Sequence, residues 1–113
     1  LKEAFPEAAI LIVSIGDRES KTETGELHTM PGVKNLVRYQ QALAAKTHVA
    51  FWNMFEAMGG EGSMVEMVNS KPAMANYDYT HINFRGGKHL ANILFDALMY
   101  GKEQYEKRKA YEN

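Results

Sequence analysis

The amino-acid sequence predicts an α/β sandwich, in which strands alternate with helices. Residues 8–15, AAILIVSI, form a continuous apolar run rich in β-branched side chains, which is typical of a parallel strand covered on both faces. A helical pattern and a second strand-like run follow, and this alternation favours parallel pairing with right-handed crossovers. The 113 residues, 45% of them apolar, suffice for one domain with one hydrophobic core.

The next three elements can be assigned in chain order. Residues 17–32 are polar and show no periodicity, so we expect a long loop that ends at Pro31 and Gly32. Apolar residues then recur at helical spacing over residues 33–46, which predicts a helix. The predicted buried face of this helix consists of Val33, Leu36, Val37, Leu43 and Ala44. Residues 47–55, THVAFWNMF, predict the second strand.

The last part of the chain is predicted to be helical. A glycine-rich turn leads into a short helix near residues 63–68, and Pro72 excludes a helix interior from the irregular stretch that follows. Asn83 can cap a long helix that begins at Phe84. The stripe that this helix is expected to bury consists of Leu90, Ile93, Leu94, Ala97 and Leu98. The mixed charges of residues 102–113 predict a solvated helix end.

The composition argues against several classes of function. Thirteen basic and fourteen acidic residues nearly cancel, so the chain has no basic field for a nucleic-acid partner. Cysteine is absent, which removes thiolate catalysis and cysteine-based metal sites. The histidines show no ligand pattern, and we expect neither a metal nor a cofactor. No apolar run is long enough to span a bilayer.

The strongest candidate for chemistry is the pair formed by Asp78 and His81, in the loop before the last helix. Ligands of open α/β sheets bind at the carboxyl ends of the strands, where this loop and the loops after both strands should converge. A carboxylate that accepts the Nδ1 proton of a histidine fixes the tautomer and leaves Nε2 for proton transfer. The pair is compatible with two members of a hydrolytic triad, but on spacing alone a turn residue and a surface histidine are the commoner explanation.

The sequence around this pair resembles a known family. Residues 78–87, DYTHINFRGG, are similar to the last motif block of the SGNH (GDSL-type) hydrolases, in which Asp-x-x-His opens the C-terminal helix. Residues 50–64 and 13–20, AFWNMFEAMGGEGSM and VSIGDRES, resemble a branch with bacterial peptidoglycan and carbohydrate O-acetylesterases. The resemblance implies a flavodoxin-like three-layer α/β/α sandwich. Residues 1–113 would be the C-terminal portion of this single domain and would supply its last strands and helices.

The resemblance also implies roles for individual residues. Asp78 would be the triad acid and His81 the general base of a serine esterase, which would form an acyl-enzyme while hydrolysing O-acetyl groups on a carbohydrate. Met64, beside the glycine-rich turn, is the candidate for lining a substrate pocket. The Gly-Asp-Ser nucleophile block and the oxyanion-hole blocks of the family have no counterpart here. We therefore expect a missing N-terminal half or a second chain to supply them, and this chain alone to be inactive.

Two other interpretations remain open. The chain could be a non-catalytic half-domain that acts in assembly or ligand binding. A flavodoxin-like nucleotide binder is also compatible with the element order, but no phosphate loop supports it. The ester substrate and the oligomeric state are not encoded in any recognisable pattern, whereas the family resemblance suggests a periplasmic or secreted protein.

Overall fold

The computed structural model describes residues 1–112, and its elements follow the predicted alternation. In chain order they are β1 (Leu11–Val13), β2 (Glu19–Lys21), β3 (Leu27–Thr29), α1 (Val33–Thr47), β4 (Ala50–Trp52), α2 (Met54–Met58), α3 (Ser63–Asn69) and α4 (Phe84–Glu112). Helices combined with small parallel and antiparallel sheets confirm the α/β class. No helix within residues 1–112 has both the length and the apolar composition that a membrane crossing requires.

Strands β1 and β4 form a two-stranded parallel sheet, as the sequence predicts. Leu11 pairs with Ala50 and Val13 pairs with Trp52, and α1 connects the two strands. The faces of β1 are not closed, however, because Leu11 and Val13 are 39% and 42% exposed. Residues 1–112 therefore cover only part of a strand whose sequence is typical of a covered one.

The strands are shorter than the apolar runs that predict them. Strand β4 ends at Trp52 because Asn53 caps a short helix: its side-chain oxygen accepts a hydrogen bond from the backbone N–H of Glu56 at 3.0 Å. Met54 and Phe55, assigned to the strand from their apolar character, are the first residues of α2. The prediction of a strand over residues 47–55 is thus wrong at its carboxyl end, and also at its amino end, where Thr47 is the last residue of α1 and His48 caps it.

The prediction of a long loop over residues 17–32 is also wrong, because this segment contains a β-hairpin. Strands β2 and β3 pair antiparallel, with Glu19 opposite Thr29 and Lys21 opposite Leu27. The connecting turn contains Gly25 at a φ of 85°, which glycine adopts without a steric penalty. Apolar alternation does not reveal this hairpin, because the only buried residue of β2 is a glutamate.

Helix α1 confirms the predicted helix but only part of its buried face. Val33, Val37 and Ala44 are buried, whereas Leu36 and Leu43 are exposed. The buried residues contact one side of the fold: Val33 and Val37 form a small cluster with Phe55. Leu36 and Leu43 are 41% and 40% exposed, so residues 1–112 cover them only in part.

The main hydrophobic core lies between α2, α3 and the first turns of α4. Its buried members are Met58, Met64, Met67, Val68, Ala75 and Leu90. Helix α4 contains 29 residues and runs past this core for most of its length. The predicted stripe is therefore buried only at Leu90, while Ile93 and Leu94 are half-buried and Ala97 and Leu98 are exposed. The charged turns at its end are exposed, as predicted.

Candidate active site

The turn that carries Asp78 and His81 is built by its own hydrogen bonds. The Oδ1 atom of Asp78 accepts hydrogen bonds from the backbone N–H groups of Thr80 and His81, both at 3.0 Å. Such Asx geometry is a reason why aspartate is favoured in turns. Tyr79 adopts a positive φ of 55°, and the N–H of Asn76 donates to the carbonyl oxygen of His81 at 2.9 Å. The local sequence therefore folds into a tight turn with both side chains close together.

The two side chains predicted as acid and base are in direct contact. Asp78 Oδ2 and His81 Nδ1 lie 2.6 Å apart, a distance typical of a strong hydrogen bond to a charged group. The hydrogen bond with His81 is the main cause that lowers the pKa of Asp78 to about 2, with smaller contributions from the backbone N–H groups of His81 and Thr80. Asp78 is therefore a carboxylate at neutral pH, and it favours the proton on Nδ1 of the neutral imidazole.

The second ring nitrogen of His81 is open to a reactant. The side chain of His81 is 70% exposed, and Nε2 forms no hydrogen bond within residues 1–112. With Nδ1 engaged by Asp78, Nε2 is the nitrogen that can accept a proton from an incoming hydroxyl. This orientation is what a general base requires.

His81 lines a cleft of about 320 Å³, in which three parts of the chain meet. The other walls come from residues 15–18 after β1, from the methionines Met54, Met58 and Met64, and from residues 80–82 of the turn. The predicted convergence of loops at the carboxyl ends of the strands is confirmed. Met64, the candidate for a substrate pocket, lines this cleft and is almost fully buried.

The inner wall of the cleft is apolar and closely packed at Gly16. A Cβ atom at this position would lie 2.6 Å from Met58 Sδ and 2.7 Å from Met54 Cε. These distances are well below van der Waals contact, so any larger residue would displace the methionine side chains. The methionines give the cleft an adaptable apolar surface beside His81.

Asp17 is a structural part of the site that the sequence patterns place only in a loop. It is buried, and its Oδ1 accepts a hydrogen bond from Thr29 Oγ1 at 2.8 Å. Its Oδ2 accepts one from the backbone N–H of Met64 at 3.0 Å, and Thr29 Oγ1 accepts one from the N–H of Gly62. Asp17 thus joins the hairpin to the beginning of α3.

Glu19 is a second buried acid, and sequence reasoning missed it. Burial chiefly raises the pKa of Glu19, to about 7, assisted by the neighbouring carboxyl group of Asp17, which could accept a hydrogen bond only from protonated Glu19, and by the negative charges of Asp17 and Glu61. The sequence offers one signal for this pair: Asp17 and Glu19 stand two positions apart, and residues at this spacing share one face of an extended strand.

The serines of the chain do not complete a triad with this pair. Within residues 1–112, none of Ser14, Ser20, Ser63 and Ser70 forms a hydrogen bond with His81. Ser14 Oγ donates to the carbonyl oxygen of Ile15 and accepts from the N–H of Phe55. Ser70 Oγ donates to the carbonyl oxygen of Met67 in α3.

The remaining histidines lie outside the cleft. His28 is on the hairpin, where Nε2 lies 3.5 Å from a carboxylate oxygen of Glu26. His48 ends α1, and His89 is an exposed residue of α4. Among the residues that the structure describes, no group of three or more histidine, aspartate or glutamate side chains is arranged to hold a metal ion.

The structure is similar to a solved peptidoglycan O-acetylesterase. The two share 25% sequence identity with a TM-score of 0.75, and the similarity covers 88% of this chain. It covers 28% of the esterase chain, so residues 1–113 correspond to less than a third of that protein. No protein-family model and no curated protein matches the sequence. The structural similarity supports an esterase-like fold.

Proposed function

We propose that this chain supplies the acid and the general base of a serine esterase of the SGNH type. The observation that carries the proposal is the 2.6 Å contact between Asp78 Oδ2 and His81 Nδ1 at the edge of a cleft. It is the arrangement that orients an imidazole for proton transfer through Nε2. Similarity to a peptidoglycan O-acetylesterase supports ester hydrolysis as the chemistry.

The proposed reaction has two halves, and His81 acts in both. Nε2 removes the proton of a serine hydroxyl while the serine oxygen attacks the ester carbonyl carbon, and Asp78 stabilises the resulting imidazolium. Nε2 then returns this proton to the departing alcohol, which leaves an acyl-serine. A water molecule repeats the sequence: His81 takes its proton, the hydroxide attacks the acyl group, and the serine recovers a proton as the carboxylic acid departs.

We infer that the ester is an O-acetyl group on a carbohydrate. The cleft beside His81 is lined by Met54, Met58 and Met64, which offer apolar contacts suited to the methyl group of an acetate. The polar residues Arg18 and Thr80 also line the cleft and can contact the sugar. The substrate class is also consistent with the similar esterase, which acts on O-acetylated peptidoglycan.

The nucleophile is proposed to come from residues outside the described chain, within a larger flavodoxin-like three-layer sandwich. Three observations support this. No serine of residues 1–112 forms a hydrogen bond with His81, and the chain corresponds to 28% of the similar esterase. The partly exposed Leu11 and Val13 also suit a strand that continues into a larger sheet. Either an N-terminal half of the same domain or a second chain would complete the site.

A second candidate function is non-catalytic assembly, and the exposed apolar residues of the chain favour it. Phe95, Leu98 and Met99 are exposed on α4, and Leu36 and Leu43 are exposed on α1. Monomeric proteins seldom leave many large apolar side chains uncovered in one region. This candidate requires no role for the contact between Asp78 and His81, and the next experiment distinguishes the two.

Replacement of His81 by alanine in the assembled protein tests the proposal. We expect kcat/KM for an acetyl ester such as p-nitrophenyl acetate to fall by about 10³-fold or more, since the general base is lost. The free energy of unfolding should change by less than about 0.5 kcal/mol, because the side chain is largely exposed. His28→Ala is the matched control, and it should retain full activity. Unchanged turnover by His81→Ala would favour the non-catalytic function.

A further inference from the structure

Glu19 has surroundings that are unusual for a glutamate. It is 6% exposed, and neither carboxyl oxygen has a hydrogen-bond donor within residues 1–112. A buried carboxylate without donors loses its hydration and gains nothing in return. The carboxylate of Asp17 can partner Glu19 only if Glu19 is protonated and donates the hydrogen bond, because two carboxylates are both acceptors. The structure at this position therefore suits the neutral acid.

The charges that face Glu19 point to the same conclusion. Asp17 and Glu61 both contribute negative charge, and both raise the pKa of Glu19 in addition to burial. Lys34 of α1 pairs with Glu61, because its Nζ lies 3.2 Å from Glu61 Oε2, and no ion pair of the Glu19 carboxyl with a cation is formed within residues 1–112. Thr29 of β3 stands opposite Glu19 and is uncharged, and its hydroxyl is already engaged with Asp17.

The backbone of Glu19 connects the hairpin directly to the candidate active site. Its N–H donates to the carbonyl oxygen of Tyr79 at 2.9 Å, and Tyr79 lies between Asp78 and His81 in the turn. On the other side of the same segment, the N–H of Met30 donates to the carbonyl oxygen of Arg18 at 2.7 Å. Movement of β2 would therefore change the support of the turn that holds the acid and the base.

We propose that Glu19 is a protonation-dependent positioning residue: as the neutral acid it keeps β2 against Tyr79, and as the carboxylate it loosens that contact. No part of Glu19 touches the cleft, so its influence on His81 passes through the backbone of the turn. Its effect on hydrolysis rests on the proposed esterase function, whereas its effect on the turn does not.

The direction of the pH effect follows from the sign of the shift. The pKa of Glu19 is raised from 4.5 to about 7 in the folded protein, by burial first and by its acidic neighbours second. Such a group stabilises the fold fully below pH 4.5, and this contribution is lost as the pH rises through about 7. Asp78 behaves oppositely, because its lowered pKa removes stability only as the pH falls toward 2. The two effects occur in separate pH ranges.

The test is an NMR titration of the chain between pH 4 and 9, with and without Glu19→Gln. The ¹³C shift of the Glu19 carboxyl should titrate with a midpoint near 7, about 2.5 pH units above its ordinary value. Hydrogen exchange of the Glu19 N–H, corrected for its intrinsic pH dependence, should lose protection through the same range. In Glu19→Gln the amide can donate to Asp17 at every pH, so this loss of protection should disappear.

Two outcomes would overturn the proposal. One is a Glu19 carboxyl that titrates near 4.5, which requires no variant to detect. Another is a pH-dependent loss of protection that persists in Glu19→Gln. Glu26→Gln on the exposed part of the hairpin is the control, and it should leave the wild-type transition unchanged. None of these readouts requires ester hydrolysis, so a failure of the esterase proposal would leave them interpretable.

Discussion

The first turns of α4 and its later turns differ in what surrounds them. Leu90, near the beginning, is 3% exposed and belongs to the main core, whereas Leu98, two turns later, is 56% exposed. Gly86 packs directly against the backbone of Met74, but Gly101 has no neighbouring atom within 4 Å of the position of a Cβ. One helix thus has a closely packed part and an open part.

The packed part of α4 directly follows the turn that forms the candidate active site. Residues 1–112 alone are therefore enough to hold this turn in place. The N–H of Asn83 donates to the carbonyl oxygen of Met74, and the side chain of Asn83 caps α4 directly after the turn of Asp78 and His81. The side chains of Asp78 and His81 are therefore positioned by contacts within this chain. The open part, together with the uncovered faces of β1 and α1, is where we expect further residues to pack.

Asp78→Asn, in the turn just before the packed part of α4, should have the largest effect on activity. The asparagine oxygen can still accept the backbone N–H groups of Thr80 and His81, so the turn should persist. Its NH₂ group would donate a hydrogen bond to Nδ1 and would therefore favour the imidazole proton on Nε2. A protonated Nε2 cannot accept the proton of a serine hydroxyl. We expect kcat of the assembled protein to fall by about 10²- to 10⁴-fold with little change in KM, measured by steady-state hydrolysis of an acetyl ester.

The control for this prediction is Asp78→Ala, which removes both the turn-forming acceptor and the partner of Nδ1. It should lower the thermal stability as well as kcat, whereas Asp78→Asn should lower kcat alone. Similar losses of stability in both variants would show that the carboxylate acts through the fold of the turn and not through the tautomer of His81.

A pair of glycine replacements in α4 compares the packed and the open part directly. Gly86→Ala would place its Cβ against the carbonyl oxygen of Met74, which is backbone and cannot move aside easily. We expect a loss of about 1–3 kcal/mol in the free energy of unfolding. Gly101→Ala meets nothing and should stabilise the helix by about 0.5–1 kcal/mol. Urea unfolding of the two variants measures both changes in the free energy of unfolding. Equal changes would contradict the difference in packing between the two parts of α4.

Lysine replacements on β1 examine the open part alone and should have the smallest effect on stability. Leu11→Lys with Val13→Lys should change the free energy of unfolding by about 0.5 kcal/mol or less per site, because both side chains are partly exposed. Binding of a hydrophobic dye and self-association of the chain should both decrease. Tyr111→Lys, at the far end of α4, should leave dye binding unchanged. A wild-type chain that binds no dye would argue against an uncovered sheet.

The sequence predicts correctly those features that depend on apolar periodicity and on helix caps, which involve only residues close together in the chain. Helix α1 and the beginning of α4 follow from apolar spacing and from Asn83, and the contact between Asp78 and His81 follows from a turn encoded within four residues. Parallel pairing of β1 and β4 follows from the intervening helix. These features depend on neighbours in the sequence, so a single sequence is enough to predict them.

The errors arose where burial depends on distant parts of the chain or on polar groups. The hairpin of β2 and β3 buries Glu19. Because glutamate is a polar residue type, β2 lacks the apolar alternation that would predict a strand. Helix α2 depends on the cap at Asn53 and interrupts an apolar run that resembles a strand. The exposure of Leu98 shows that a helical stripe predicts which face is apolar but not how far the core extends along it.

The protonation state of the His81 ring tests the central claim most directly. In ¹⁵N NMR spectra near neutral pH, the neutral imidazole should carry its proton on Nδ1, bonded to Asp78, and should leave Nε2 unprotonated. The Nδ1 proton should be shifted strongly downfield by the short hydrogen bond, and Asp78→Asn should reverse the tautomer. A wild-type ring protonated on Nε2 instead would contradict the assignment of His81 as the base.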